Sequence, residues 1–136
     1  MINAKGVNHI GIAVKSLDAH RQFYEETLGA VFEGIEEVQS QKVRVAFFRM
    51  GEVRLELLEP TDPTSTIAAF LEKRGEGLHH VAYTVGNIEE RLAELKSGGV
   101  RLIDESPRAG AHQMRIAFLH PKSSASVLTE LCEPTH

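Results

Sequence analysis

The chain has 136 residues, 19 acidic against 15 basic side chains for a formal charge of −4, a 42% hydrophobic and 25% charged composition, and a single cysteine. That length fits one compact domain or two half-size modules sharing a core. No apolar run approaches the roughly 20 residues that span a bilayer, and no Lys/Arg cluster with interleaved aromatics invites nucleic acid or an anionic membrane. Residues 1–7 lack the apolar stretch of a secretory signal, and Cys132 alone cannot form an intrachain disulfide, so a cytoplasmic protein with a small partner is expected.

In chain order, the β-rich run 7–14 predicts a strand, and Ser16-Leu17-Asp18 supplies a cap and early negative charge for a helix. Leu17, Tyr24 and Leu28 recur at helical spacing with Phe23 beside them, and Gly29 is the stop. Strands follow at 31–38, 43–50 and 53–59, the last two joined by a tight Gly51-Glu52 turn. The Pro-, Thr- and Asp-containing stretch 60–77 is the one long connection; Thr64 or Ser65 caps a short helix in it, with Ile67, Phe70 and Leu71 as its apolar face.

The order then repeats. A strand to Val85 leads to a helix capped by Asn87, with Glu90 three residues on, the stripe Ile88, Leu92 and Leu95, and a stop at Gly98-Gly99. Strands near 101–103, 115–120 and 127–132 complete a second β-α-β-β-β module. We expect a single domain over 1–136: module one at about 5–60, a linker helix at about 61–76 and module two at about 77–134.

The repeat is written into the residues themselves. Asn8-His9-Ile10-Gly11-Ile12-Ala13-Val14 answers to His79-His80-Val81-Ala82-Tyr83-Thr84-Val85, and Glu56-Leu57-Leu58-Glu59-Pro60 to Glu130-Leu131-Cys132-Glu133-Pro134. His9 to His80 is 71 residues and Glu56 to Glu130 is 74, so the register drifts by only a short loop. Each copy thus opens on a strand with a histidine and closes on a strand with a glutamate. Two imidazoles and two carboxylates form a set that suits a divalent metal.

Strand alternation puts His9 on one side with Gly11 and Ala13, and His80 with Ala82 and Thr84, so the ligand faces carry small side chains and leave room for a cleft. Glu56 and Glu130 interrupt runs that otherwise read as core, and a buried carboxylate needs compensation. One such residue alone reads as a solvated or backbone-satisfied group. Four at duplicated places read as a shared site. His20, His112, His120 and His136 read as surface or loop residues rather than ligands, and Cys132 as a small core residue.

NHIGIAV with HHVAYTV, LELLEP with TELCEP, and the segments GEGLHHVAY, PRAGAH and FLHPKSSASVLTEL resemble the vicinal oxygen chelate (glyoxalase/bleomycin resistance) superfamily and, within it, the methylmalonyl-CoA epimerase family. The resemblance runs over essentially the whole chain. It implies an α+β fold in which two tandem βαβββ modules form a curved, cleft-enclosing mixed β-sheet with helices outside. It also implies that His9, Glu56, His80 and Glu130 are the ligands of one divalent ion, cobalt first, with nickel, manganese or zinc as alternatives and no organic cofactor.

The implied activity is epimerisation of an acyl-CoA by proton abstraction α to the thioester through a metal-chelated enolate. Glu130 is the expected catalytic base, while Arg108, Gly110, His112 and Lys122, with Arg115 nearby, are expected at the substrate. The place where some relatives carry a second catalytic glutamate is Val45, and an EEQ-like segment of relatives is Gln39-Ser40-Gln41. That departure leaves the second proton carrier unassigned. The alternatives are a lactoylglutathione lyase-type isomerase and a non-catalytic drug-binding protein. Exposed strand edges lead us to expect a homodimer.

Overall fold

The computed structural model describes residues 1–135. It divides into two compact units, residues 9–79 and residues 1–8 with 80–136. The elements are β1 (Gly6–Ala13), α1 (Leu17–Gln22), β2 (Val31–Val38), β3 (Val43–Met50), β4 (Val53–Pro60), α2 (Thr66–Arg74), β5 (Gly77–Thr84), α3 (Ile88–Ser97), β6 (Arg108–Ala109), β7 (Met114–Leu119) and β8 (Thr129–Pro134).

Within residues 9–79, β1 runs parallel to β4, and β3 lies antiparallel to both β4 and β2. Ile12, Val14, Ala46, Phe48, Leu55 and Leu57 pack with Leu17 and Tyr24 on the face covered by α1. Ser16 caps α1 as expected, its hydroxyl accepting from Ala19 N at 3.4 Å. The helix does not hold α geometry to Gly29: residues Phe23–Thr27 form a π turn closed by Leu28 N donating to Phe23 O at 3.0 Å. The wider turn rotates the stripe, so Tyr24 packs inward while Phe23 and Leu28 are 50% and 44% exposed, contrary to the 3.6-residue spacing. Ser65 is the cap of α2, accepting from Ile67 N at 3.1 Å, and Ile67 is buried.

The second unit repeats the plan, with β5 parallel to β8 and β7 antiparallel to both β8 and β6. Ile88, Leu92 and Leu95 of α3 pack on Val85, Ala117, Leu119 and Leu131. Residues 1–8 belong here: Lys5 N donates to Thr84 O at 2.8 Å and the Asn8 amide to Thr84 Oγ1 at 3.1 Å.

Two local expectations are corrected in this unit. The strand expected near 101–103 is only a single bridge, Leu102 to Leu119, and the strand that pairs with β7 is Arg108–Ala109. Asn87 is left-handed (φ 51°) and its side chain caps nothing; the Glu133 carboxylate instead accepts from Asn87 N at 2.6 Å and Ile88 N at 3.2 Å. The same device serves the first unit, where Glu59 accepts from Leu17 N at 3.4 Å. A carboxylate there satisfies orphan amides and sits at the positive end of the helix dipole. The duplicated Glu-Pro of β4 and β8 was the visible signal.

Candidate metal centre and substrate face

Each unit holds one imidazole–carboxylate pair out of water. In the first, His9 Nδ1 lies 3.4 Å from Glu56 Oε2; in the second, His80 Nε2 lies 3.2 Å from Glu130 Oε1, with all four side chains at 5–6% exposure. The sheet explains both. β1 and β4 are parallel with Gly11 opposite Glu56, so His9 sits one step along on the same face. In the second unit Ala82 stands opposite Glu130, and His80 is one step along from it. Such pairs fit a borderline divalent ion by donor chemistry: neutral imidazole and carboxylate oxygen, dry enough that the charges need a partner.

The faces carrying these pairs can be read row by row. In the first unit, one row across the strands is Gly11, Glu56, Phe47, Gly34, and the next is Ala13, Leu58, Val45, Glu36. In the second, the matching rows run Ala82, Glu130, Phe118 and then Thr84, Cys132, Ile116, Arg108. The small residues expected beside the histidines are there, with Gly11, Ala13 and Ala82 all buried. Cys132 is fully buried against Ala82, Met114, Ile116 and Phe118.

Arg108 lies at the end of its row. Its guanidinium carbon is 5.5 Å from the Phe118 ring centroid and its Nε is 3.4 Å from the Asp104 carboxylate, which also accepts from Phe118 N at 2.9 Å. The Phe118 ring in turn meets His80 edge-on at 5.6 Å. Arg108 is therefore aimed over the same face as His80 and Glu130, and exposed enough to meet a ligand.

Other expected contacts fare differently. Arg115 is on the opposite, helix-packed side, bound to Glu89 at 2.8 Å and near Glu133 at 3.8 Å, and is not a rim residue. Gly110 is glycine for a steric reason within the unit: a Cβ there would lie 2.8 Å from Ile116 Cγ2. His112 is exposed in a left-handed conformation (φ 57°), and His120 caps the turn Pro121–Ser123 by accepting from Lys122 N at 3.1 Å, with Lys122 itself exposed. His20 lies 2.9 Å from Glu76, as suits a surface helix, and His136 lies outside the described residues.

A cluster absent from the sequence reading also occupies the first unit's ligand face. Arg54, in register with His9, is 12% exposed and donates through Nε to Glu33 at 3.3 Å, while Arg49 donates to the same carboxylate at 2.8 Å. Hydrogen bonding from Arg49, then Arg54, holds the Glu33 carboxyl below its ordinary range. Glu33 shares this side with Val31, and the bulge between Phe32 and Gly34 turns Gly34 and Glu36 to it as well, which alternation counted from the sequence could not foresee.

The model of the glyoxalase/bleomycin resistance protein/dioxygenase superfamily matches residues 8–118. An uncharacterized Bacillus subtilis protein, YqjC, is 49% identical over 128 residues, covering 94% of this chain and 91% of that one. The mitochondrial methylmalonyl-CoA epimerase of Bos taurus is 37% identical, covering 95% and 74%. This chain belongs to the methylmalonyl-CoA epimerase family of that superfamily. A solved methylmalonyl-CoA epimerase in complex with methylmalonyl-CoA and NH4+ superimposes with a TM-score of 0.93 at 37% identity, covering 98% of this chain and 96% of its own. That match establishes the expected α+β glyoxalase-type fold of paired βαβββ modules. No helix among the described residues is long and apolar enough to cross a membrane.

Proposed function

We propose that this chain is an isomerase of the racemase and epimerase class that interconverts the 2R and 2S forms of methylmalonyl-CoA. The observation that carries the reading is the duplicated, buried imidazole–carboxylate pair, His9 with Glu56 and His80 with Glu130, in a chain whose named relatives are methylmalonyl-CoA epimerases. Together the four side chains would hold one divalent ion, cobalt first, with nickel, manganese or zinc also suited to mixed nitrogen and oxygen donors. When bound, such a cation draws electron density from the thioester oxygen and acidifies the carbon between thioester and carboxylate.

The remaining work falls to the protein. Glu130 takes the proton from that carbon, and the bulk of Phe118 and Leu58 beside the carboxylates keeps water away from the carbanion. Arg108, braced by Asp104 and Phe118, meets an anionic group of the substrate, with Lys122 and His112 reaching the CoA phosphates and the Gly110 backbone shaping the loop between them. Gly11 and Ala13 keep the face beside His9 open to the acyl group. The protein acts in the cytoplasm, as a homodimer that covers the exposed Val31 and Ile35 of β2, and sedimentation gives its mass.

The test is incubation of metal-loaded protein with one epimer of methylmalonyl-CoA in heavy water, read by mass spectrometry. We expect one deuterium at the reacting carbon and racemised product. An unlabelled, unchanged substrate contradicts the proposal, and turnover of methylglyoxal with glutathione instead would replace it with the lyase reading.

A further inference from the structure

An arginine drawn out of water needs acceptors for the donors it brings, five N–H groups in a fixed fork. Arg54 on β4 is the least exposed ion-paired arginine among the described residues: its side chain is 12% exposed, whereas Arg21, Arg44, Arg49, Arg108 and Arg115 are 37–44% exposed. Arg91, at 21%, reaches Gly86 O and the carboxylates of Glu90 and Glu94. Arg54 has a single acceptor, Glu33, met through Nε at 3.3 Å and shared with Arg49. Among the described residues its Nη1 and Nη2 donate to no protein atom, and neither is sealed in the interior.

We propose that Arg54, with Arg49 and Glu33, forms a carboxylate-binding subsite on the face of residues 9–79 that carries His9 and Glu56, and that its occupant is the free carboxylate of the acyl group; the choice of occupant rests on the epimerase reading above.

Register gives the subsite its place. Arg54 pairs with His9 on one side and Arg49 on the other, and Glu56 follows two residues along β4 on the same face, about 6.6 Å away at a rise of about 3.3 Å per residue. The Arg54 guanidinium carbon lies 5.9 Å from the centroid of the Phe47 ring, and Phe47 pairs with Glu56 and with Gly34. Gly34 leaves the neighbouring position open: a Cβ there would meet nothing within 4 Å. A group held by Nη1 and Nη2 thus borders an apolar ring beside the His9–Glu56 pair, where weak solvation strengthens a charge-assisted bond.

Charge then selects the ligand. Two guanidiniums and the Glu33 carboxylate, which they keep ionised, leave a net charge of +1. One further carboxylate cancels it, and the planar fork of Arg54 matches its two oxygens. A phosphate monoester carries about −1.5 to −2 at neutral pH and would be repelled more strongly by Glu33. The CoA phosphates also stand at the far end of the pantetheine arm, whereas the acyl carboxylate is bonded to the reacting carbon itself. The consequence is selectivity for malonyl-type thioesters over simple acyl thioesters.

Calorimetry of cobalt-loaded protein, at equal metal content, compares three ligands in the wild type and in Arg54→Gln: methylmalonyl-CoA, propionyl-CoA, which lacks only that carboxylate, and CoA. The wild type should bind methylmalonyl-CoA about tenfold or more tighter than propionyl-CoA. Arg54→Gln should weaken methylmalonyl-CoA about 10- to 100-fold and the other two less than about threefold. Equal weakening of all three, which would make Arg54 a phosphate contact, overturns the proposal, as does no weakening of any or a wild type that binds methylmalonyl-CoA and propionyl-CoA alike. Where Arg54→Gln fails to fold, Arg54→Lys keeps the charge without the fork and should still weaken methylmalonyl-CoA about fivefold with propionyl-CoA unchanged; an equal loss for both, or none, overturns it. A wild type with the expected binding preference that incorporates no deuterium in heavy water supports the subsite and removes only the epimerase reading.

Discussion

The two units are copies in their buried imidazole–carboxylate pairs and differ in what they set beside them. Both place a histidine and a glutamate on neighbouring parallel strands, and both use the glutamate of a Glu-Pro pair to accept from the first amides of the following helix. At the end of matching rows, however, the unit of residues 9–79 carries Glu36, and the unit of residues 80–136 carries Arg108. The second unit's face carries the apolar cluster Met114, Ile116, Phe118 and Cys132, whereas the first carries Arg54, Arg49 and Glu33. Duplication repeated the imidazole–carboxylate pair, and the flanking strands diverged around it.

The largest expected effect breaks that symmetry at the carboxylates. If the proposed roles hold, Glu56→Gln keeps a ligand oxygen and should slow α-proton exchange less than about tenfold, whereas Glu130→Gln also removes the proposed base and should slow it about 100- to 10,000-fold. Exchange in heavy water at full metal occupancy measures both. Equal effects would make the units functionally interchangeable.

Next in size is Gly110→Ala, which forces a methyl into Ile116 and should cost about 1–3 kcal/mol in urea unfolding. Ile116→Val should return part of that loss. An unaffected midpoint would mean the loop yields freely. Smaller still are the helix caps. Glu133→Ala removes acceptors from two amides and should cost about 1–2 kcal/mol, while Glu59→Ala, with one longer bond, should cost about half as much. The same urea midpoints rank the two, and the reverse order would break the comparison at its structural base.

The smallest is a pH effect confined to the first unit. Arg49 and Arg54 depress the folded-state pKa of Glu33, so its contribution is present above its ordinary value of 4.5 and is lost as pH falls through the folded value. Glu33→Gln should therefore flatten the loss of stability below pH 4.5 and leave its slope near neutrality unchanged. Thermal midpoints across acid pH measure it.

The sequence made the repeat, most of its strands and the two imidazole–carboxylate pairs legible because alternation and duplication are both periodic signals. His9 could be placed with Gly11 and Ala13 by counting alone, and the cap of α2 narrowed to Thr64 or Ser65, of which the structure uses Ser65. What could not be counted was set by departures from periodicity. The π turn exposes Leu28, the bulge turns Gly34 and Glu36 to the side of Val31 and Glu33, and the left-handed Asn87 hands its capping task to Glu133, 46 residues away.

The central proposal is that His9, Glu56, His80 and Glu130 hold one ion, and its most direct measurement is the stoichiometry and affinity of cobalt binding to metal-free protein by calorimetry, repeated for His9→Ala and His80→Ala. We predict one ion per chain, with affinity falling by more than about 100-fold in either variant, beyond the loss typical of outer-shell partners. Two ions per chain, or wild-type affinity retained after the loss of either histidine, would contradict it.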